Sequence, residues 1–268
     1  MSPIETMRTP LFVPGHRPDR YAKAALAGPD AVIIDLEDAV PRVDKARARA
    51  ALEIGFTGLP VIVRINGIAD AEHDEDVCVA RALHPAALMV PKAEGSPAFI
   101  ALCSSLAAHG VPVIALIESA RGLADARAIA ARPNVARLAF GSIDFAADVG
   151  CAHSREALLA ARSEIVLASR LAGKPAPIDG VTTAIDDDGI ARDDASHAKS
   201  LGFGGKLAIH PRQITPIRAG FAPTDAEIAW AQSVLATGDG AVAVDGAMID
   251  EPVRIRARAI INTNSSVE

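Results

Sequence analysis

Aromatic residues are scarce in this chain: one Trp, one Tyr and seven Phe among 268 residues, although 50% of the residues are hydrophobic. The core must therefore be aliphatic, and the length leaves room for one large domain or two ordinary ones. Cysteine is equally sparse. Cys78, Cys103 and Cys151 are an odd number with no close pair, which argues against a disulfide framework or a thiolate metal site and leaves buried free thiols. The seven histidines show no HExxH or other short ligand spacing, so zinc is disfavoured. A basic excess is missing too. The formal charge is -6, with no basic run and no basic-aromatic interleaving, so a nucleic-acid partner is not expected. No apolar run approaches the roughly 20 residues needed to cross a bilayer, and the first ten residues lack the apolar region of a signal peptide. These absences predict a soluble, cytoplasmic protein with no membrane partner.

What is present is a repeated alternation of short apolar runs and helical patterns. The runs are Leu11-Phe12-Val13, Ala31-Val32-Ile33-Ile34, Val61-Ile62-Val63, Ala87-Leu88-Met89-Val90, Val113 to Ile117, Arg137 to Gly141, a weaker Ala176 to Val181, and Lys206 to Ile209. Short apolar runs bounded by turn signals read as buried strands. The helical stretches include one starting near Asp19, Lys45 to Leu52, Gly122 to Ala131, Arg155 to Leu171, Asp194 to Ser200, Ala226 to Ala236 and Pro252 to Ile261. Eight strands alternating with helices in a chain near the roughly 250 residues of a closed parallel barrel predict an α/β fold, a TIM (β/α)8 barrel with a C-terminal helical appendage. A doubly wound open sheet is the alternative, but no GxGxxG follows the first strand. The expected division is a barrel over 1–220 and a helical segment over 221–268, packing on the barrel or on a neighbouring subunit. The acidic segment Asp186-Asp187-Asp188-Gly189 lacks the alternating ligands and closing Glu of a calcium loop and reads as a solvated loop.

In such a barrel the active site lies at the C-terminal ends of the strands. Those ends carry Glu37 and Asp38, Arg64 and Asn66, Lys92 and Glu94, Glu118, Asp144, Asp179 and His210. Charged groups are seldom buried unpaired, so these must neutralise one another, bind an ion or face solvent. Glu118 and Asp144 end adjacent parallel strands and can share a Mg2+ ion, which takes one or two carboxylates plus waters and substrate oxygens; the other reading makes them helix caps or partners of Arg64 or Arg121. Arg64 is suited to a bidentate grip on a substrate carboxylate, or to an ion pair with Glu37 or Asp38. Glu37 and Asp38 can orient metal-bound water or Arg64 from behind. Lys92 beside Glu94 is expected to stay protonated, which disfavours Schiff-base chemistry. His210 either touches substrate or is a packed, hydrogen-bonded residue before Pro211. Gly202-Phe203-Gly204-Gly205 approaches a phosphate or forms a turn, and Trp230, with Ile228 and Val234 at helical spacing, reads as packing.

Taken together, Leu11-Phe12-Val13-Pro14-Gly15-His16-Arg17-Pro18, Ile34-Asp35-Leu36-Glu37-Asp38-Ala39-Val40, Val63-Arg64-Ile65-Asn66, Pro91-Lys92-Ala93-Glu94, Leu116-Ile117-Glu118-Ser119-Ala120-Arg121-Gly122, Gly141-Ser142-Ile143-Asp144 and Ile209-His210-Pro211-Arg212-Gln213-Ile214 resemble the citrate lyase beta-subunit-like proteins of the HpcH/HpaI aldolase group. The resemblance spans nearly the whole chain with the motifs in order. It implies a TIM barrel assembled as a homotrimer or hexamer, with Mg2+-dependent carbon-carbon cleavage or formation on 3-hydroxyacyl thioesters. It further implies that Glu118 and Asp144 are the metal ligands and that Arg64 binds substrate. Met248-Ile249-Asp250-Glu251-Pro252 resembles a family segment whose aspartate reaches a neighbouring subunit's site, making Asp250 the candidate acid/base; its plainer reading is a cap for the helix beginning near Pro252. The chain departs from the family in carrying His16 where asparagine is usual and in ending soon after that helix, differences that bear on closure over the site and on substrate choice.

The activity implied is lyase chemistry on malyl-, citramalyl- or citryl-CoA, with Mg2+ as cofactor and coenzyme A as part of the substrate. Arg17, Lys23 and Lys45 are the candidate contacts for the CoA phosphates. Two alternatives remain at this point: a CoA-independent aldolase of 2-oxo-4-hydroxy acids, and a subunit-dependent, non-catalytic citrate lyase beta-like component.

Overall fold

The computed structural model describes residues 2–237, 242–244 and 247–264, so part of the expected 221–268 segment lies outside the described residues. Eight strands follow one another in chain order: β1 (Pro10–Pro14), β2 (Ala31–Asp35), β3 (Val61–Arg64), β4 (Ala87–Val90), β5 (Val113–Ile117), β6 (Val135–Phe140), β7 (Ile178–Asp179) and β8 (Gly205–Lys206). Each pairs in parallel with the next. The ring closes where Phe12 N–H donates to Ala208 O and Ala208 N–H donates to Pro10 O, both at 2.9 Å. Closure makes this a TIM barrel and excludes the open doubly wound sheet. β7 is shorter than the run read from the sequence because Pro175 and Pro177 have no N–H to donate to a ladder.

The helices are α1 (Pro3–Thr6), α2 (Tyr21–Leu26), α3 (Lys45–Ala50), α4 (His73–Ala82), α5 (Pro97–Ala108), α6 (Ala120–Ala124), α7 (Ala126–Ala130), α8 (Ser142–Val149), α9 (Leu159–Leu171), α10 (Asp188–Leu201), α11 (Ile214–Phe221), α12 (Asp225–Leu235) and α13 (Glu251–Asn264). Two differ from the sequence reading. The stretch Gly122 to Ala131 is broken at Asp125 into α6 and α7, and the Asp125 carboxylate accepts the Gly95 N–H at 2.9 Å. The acidic segment near Asp187 is a helix start instead of a loop: Asp187 Oδ1 accepts from Gly189 N–H at 2.9 Å and Ile190 N–H at 3.1 Å, capping α10. Among the described residues, no helix is long and apolar enough to cross a membrane.

The chain divides into two compact units, Met1–Gly220 and Phe221–Glu268. The second holds α12, α13 and the antiparallel pair β9 (Val242–Val244) and β10 (Ala247–Ile249), and Ala231, Val234, Ile249 and Ala257 form a small core there, with Trp230 packed against it. Arg256 lies over the Trp230 ring at 5.0 Å.

Strand side chains alternate, so every second residue enters the barrel. Ala31, Ile33, Ile62, Ala87, Met89, Ile114, Leu116, Ala139, Ile178 and Leu207 fill it, and Ile4 and Met7 join the same cluster from the N-terminal segment. Two residues beyond this layer, the same inward faces carry Asp35, Arg64 and Glu118 at one rim. Two residues before it, β6 carries Arg137, 1% exposed, at the other. Arg137 donates to Ile4 O at 3.0 Å, Met7 O at 2.7 Å and Ala176 O at 2.7 Å. This ties the N-terminal segment against the barrel floor. Burial lowers the Arg137 pKa to about 10, still charged at neutral pH.

Replacing Arg137 leaves three carbonyl groups without their donor in a buried setting, each worth about 1–3 kcal/mol when unsatisfied. Arg137→Met is therefore expected to lower the unfolding free energy by about 3 kcal/mol or more in urea titrations, and an unchanged midpoint would contradict this role.

Candidate metal centre and active site

The rim is built around Arg64, the last residue of β3. Its Nε and Nη2 donate to the two carboxylate oxygens of Asp35 at 2.7 and 2.6 Å, a bidentate pair between adjacent strand ends. Nη1 faces Glu37 Oε2 at 2.9 Å and Asp38 Oδ2 at 3.6 Å. The Glu37 contact is a charge pair without hydrogen-bond alignment, since Glu37 Oε2 has no hydrogen-bond partner. The ring of Phe12 covers the guanidinium at 4.9 Å. Burial disfavours the charged arginine, but Asp35, Glu37 and Asp38 outweigh it and hold the pKa above its ordinary value. The expected bidentate grip of Arg64 on substrate is thus corrected on one edge: Nε and Nη2 belong to Asp35, and Nη1 is the part turned toward Glu37 and Asp38. Asp35 also accepts the Glu37 N–H at 2.9 Å and the Ala39 N–H at 3.0 Å, shaping the loop after β2.

Glu118 follows β5 and is 3% exposed. It caps nothing, because Ser119 Oγ takes the Gly122 N–H at 3.0 Å and starts α6. Glu118 Oε1 accepts the Lys92 N–H at 2.7 Å, while Oε2 is buried with no partner. Lys92 adopts φ 47°, a left-handed conformation rare outside glycine, and in it the amide meets Glu118. Its ammonium meanwhile donates to Glu37 Oε1 at 2.6 Å. Burial opposes the Lys92 charge, but Glu37 overrides it and raises the pKa, so the residue stays protonated as expected. Gly141 leaves the space beside Glu118 open: a Cβ there would lie 2.5 Å from the Glu118 Cβ and strike Oε2. Asp144, in the first turn of α8, lines the same cavity as Glu118, Asp35, Asp38 and Arg64, with a volume of about 510 Å3.

Burial, then the negative charge of Glu37, pushes the Glu118 pKa up to about 8, with Asp144 adding to the shift. Burial likewise raises Glu37, although Arg64 and Lys92 pull the other way. Carboxylates gathered beyond what Arg64 and Lys92 neutralise, with a buried oxygen lacking any donor, suit a cation. Among the described residues no three His, Cys, Asp or Glu converge as a metal cage. A pair of carboxylates fits Mg2+, which retains waters and takes substrate oxygens.

The remaining expected residues are dispersed. Lys45 directs its ammonium to Leu36 O at 2.6 Å, Glu37 O at 2.7 Å and Asn66 Oδ1 at 2.7 Å. Arg17 pairs with Asp19 at 2.7 Å, and Lys23 is exposed on α2 and lines neither cavity. A second cavity of about 760 Å3 adjoins the first through Asp38 and is lined by Arg42, Lys45, Asn66 and Lys92 together with several carboxylates. His210 caps the short turn Pro211–Gln213, its Nδ1 accepting from Arg212 N–H at 3.2 Å, and lines neither cavity. Asp179 is engaged by Arg162 at 2.9 Å and Lys206 at 3.2 Å. Asp250 sits at the start of α13, where its Oδ1 accepts the Val253 N–H at 3.3 Å.

A model of the HpcH/HpaI aldolase/citrate lyase family matches residues 8–211. A citrate lyase subunit beta-like protein of Deinococcus radiodurans is 35% identical, over 97% of this chain and 98% of its own. A (3S)-malyl-CoA thioesterase of Cereibacter sphaeroides is 30% identical, over 94% and 92%. The crystal structure of CitE from Mycobacterium tuberculosis in complex with magnesium, acetoacetate and coenzyme A superposes with a TM-score of 0.87 at 33% identity, covering 97% of this chain and 99% of that one.

Because the folded-state pKa of Glu118 lies above its ordinary 4.5, its stabilising contribution is complete below the unfolded pKa and is lost as pH rises through the folded one. In metal-free protein, urea unfolding is expected to show a loss on the order of a few kcal/mol between about pH 4.5 and 8 that Glu118→Gln lacks. Mg2+ should restore stability at the upper end, and parallel pH profiles for the two proteins would contradict the assignment.

Proposed function

The chain belongs to the HpcH/HpaI aldolase/citrate lyase family, and from that premise we propose that it is a Mg2+-dependent carbon-carbon lyase acting on a 3-hydroxyacyl-CoA. The observation that carries the reading is the buried, unpartnered Glu118 Oε2 in the cavity it shares with Asp144. These two carboxylates would hold the ion, which when bound supplies Lewis acidity and a template for the substrate's hydroxyl and carboxylate.

Cleavage breaks the bond between the carbinol carbon and the carbon next to the thioester. The hydroxyl gives up its proton, for which the half-exposed Asp38 at the cavity edge is the acceptor. The carbinol becomes the carbonyl of a 2-oxo acid, and the bonding electrons pass to the thioester as an enolate. Arg64, held in place by Asp35, stabilises the charge that develops. Asp250 returns a proton to the enolate carbon, giving an acyl-CoA; the family segment that it matches reaches a neighbouring subunit's site, so sharing between chains is part of the proposal. Arg42 and Lys92 in the adjoining cavity are the cations offered to the CoA phosphates in place of Arg17, Lys23 and Lys45. The thioesterase relative supports a second reading, hydrolysis of the thioester, which leaves the 3-hydroxy acid intact.

Incubating the protein with Mg2+ and malyl-, citramalyl- and citryl-CoA decides between them. Release of a 2-oxo acid is the expected product, free 3-hydroxy acid with free CoA identifies a thioesterase, and absence of both overturns the proposal. Glu118→Ala and Asp144→Ala are each expected to lower kcat at least 100-fold while circular dichroism stays unchanged. Asp250→Ala should retain substrate binding and lose turnover, and mixing it with Glu118→Ala subunits should recover activity if sites are shared; full activity of Asp250→Ala reduces that residue to a helix cap.

A further inference from the structure

The smaller cavity has a mixed lining. Asp35, Asp38, Glu118, Asp144 and Arg64 are charged, whereas Phe12, Leu116, Phe140, Val181, Leu207 and Ile209 are apolar. Ile209 is 41% exposed, so this apolar lining reaches the solvent. Among the described residues Arg64 is the one cation that lines this cavity, and it already faces Asp35, Glu37 and Asp38. Lys92, Lys45 and Arg42 line the adjoining cavity instead.

A substrate of the proposed class carries one carboxylate that would go to the ion held by Glu118 and Asp144 together with the hydroxyl. The third group on the carbinol carbon must then occupy the remaining space. A carboxymethyl group there would bring a second negative charge among carboxylates that outnumber their cation even with a divalent ion bound, or would press it against the apolar lining with no second cation to meet it. An alkyl group meets the opposite situation, because each methylene moved from water onto that lining is favourable.

From this we infer that the cavity selects a tertiary 3-hydroxyacyl thioester whose carbinol carbon bears an alkyl group, and hence releases a 2-oxo monocarboxylic acid in preference to a dicarboxylic one. The inference rests on the lyase reading above and assigns Val181, partly buried just beyond β7, as a residue that sets specificity by its lack of charge.

The test is equilibrium binding of free 2-oxo acids, measured by titration calorimetry on the full chain with and without Mg2+, using pyruvate, 2-oxobutyrate and oxaloacetate. With Mg2+, 2-oxobutyrate is expected to bind roughly 10-fold or more tighter than oxaloacetate, and about fourfold tighter than pyruvate for its added methylene. Val181→Lys, which brings a cation to the apolar lining at a position that is not fully buried, should narrow or reverse the difference between 2-oxobutyrate and oxaloacetate. Mg2+-dependent binding in which oxaloacetate equals or exceeds the alkyl acids overturns the inference and leaves the metal site standing. Failure of all three acids to show Mg2+-dependent binding overturns the lyase reading together with the inference. A Val181→Lys protein that folds, as judged by circular dichroism, yet keeps the wild-type preference overturns the role given to Val181.

Discussion

The bidentate pair between Arg64 and Asp35 is the interaction on which the barrel's rim depends. Parallel strands that close into a ring bring all their C-terminal ends to one side, and in this chain those ends are mostly acidic. Without a cation at the centre, Asp35, Glu37 and Glu118 would face one another in a partly dehydrated space. Arg64 neutralises the first fully and the second in part, which fixes the loop after β2 and leaves Glu118 with no partner of its own except an amide. The shortage of positive charge is localised at Glu118 and Asp144.

Much of this was legible in the residues. The eight runs, their alternation with helices and the position of charge after each strand are consequences of period and turn chemistry. The placement of Glu118 and Asp144 at the ends of adjacent strands brings them to one edge, and both line one cavity there. Asp35 was overlooked in favour of Glu37 and Asp38, although the alternation that puts Ile33 inside also puts Asp35 inside, with Arg64 beside it in register. A strict count by two along β2 finds it. Other features had no local signal. That Lys92 turns its amide toward Glu118 depends on a backbone angle no side chain announces. That Lys45 is consumed by Leu36, Glu37 and Asn66 depends on contacts between separate loops, one held in turn by Asp76, whose Oδ2 accepts from the Asn66 N–H at 2.8 Å. A free lysine and a structural one look alike until their neighbours are known.

The same limit explains the phosphate contacts. Arg17, Lys23 and Lys45 lie close along the chain to strand ends, whereas of the cations that border the larger cavity only Lys45 is among them, and Arg42 and Lys92, separated by 50 residues, converge only through the barrel. Membership in the HpcH/HpaI aldolase/citrate lyase family accounts for the metal-ready rim. It leaves the cavity's apolar lining to the individual chain, and that lining is where members with one common chemistry can differ in what they accept.

At the opposite end of the barrel, Arg137 binds the carbonyls of Ile4 and Met7, and those two side chains fill the interior from below. The barrel is thereby a vessel stoppered at its base. Exchange with solvent is left to the opposite rim, the end where the carboxylates stand.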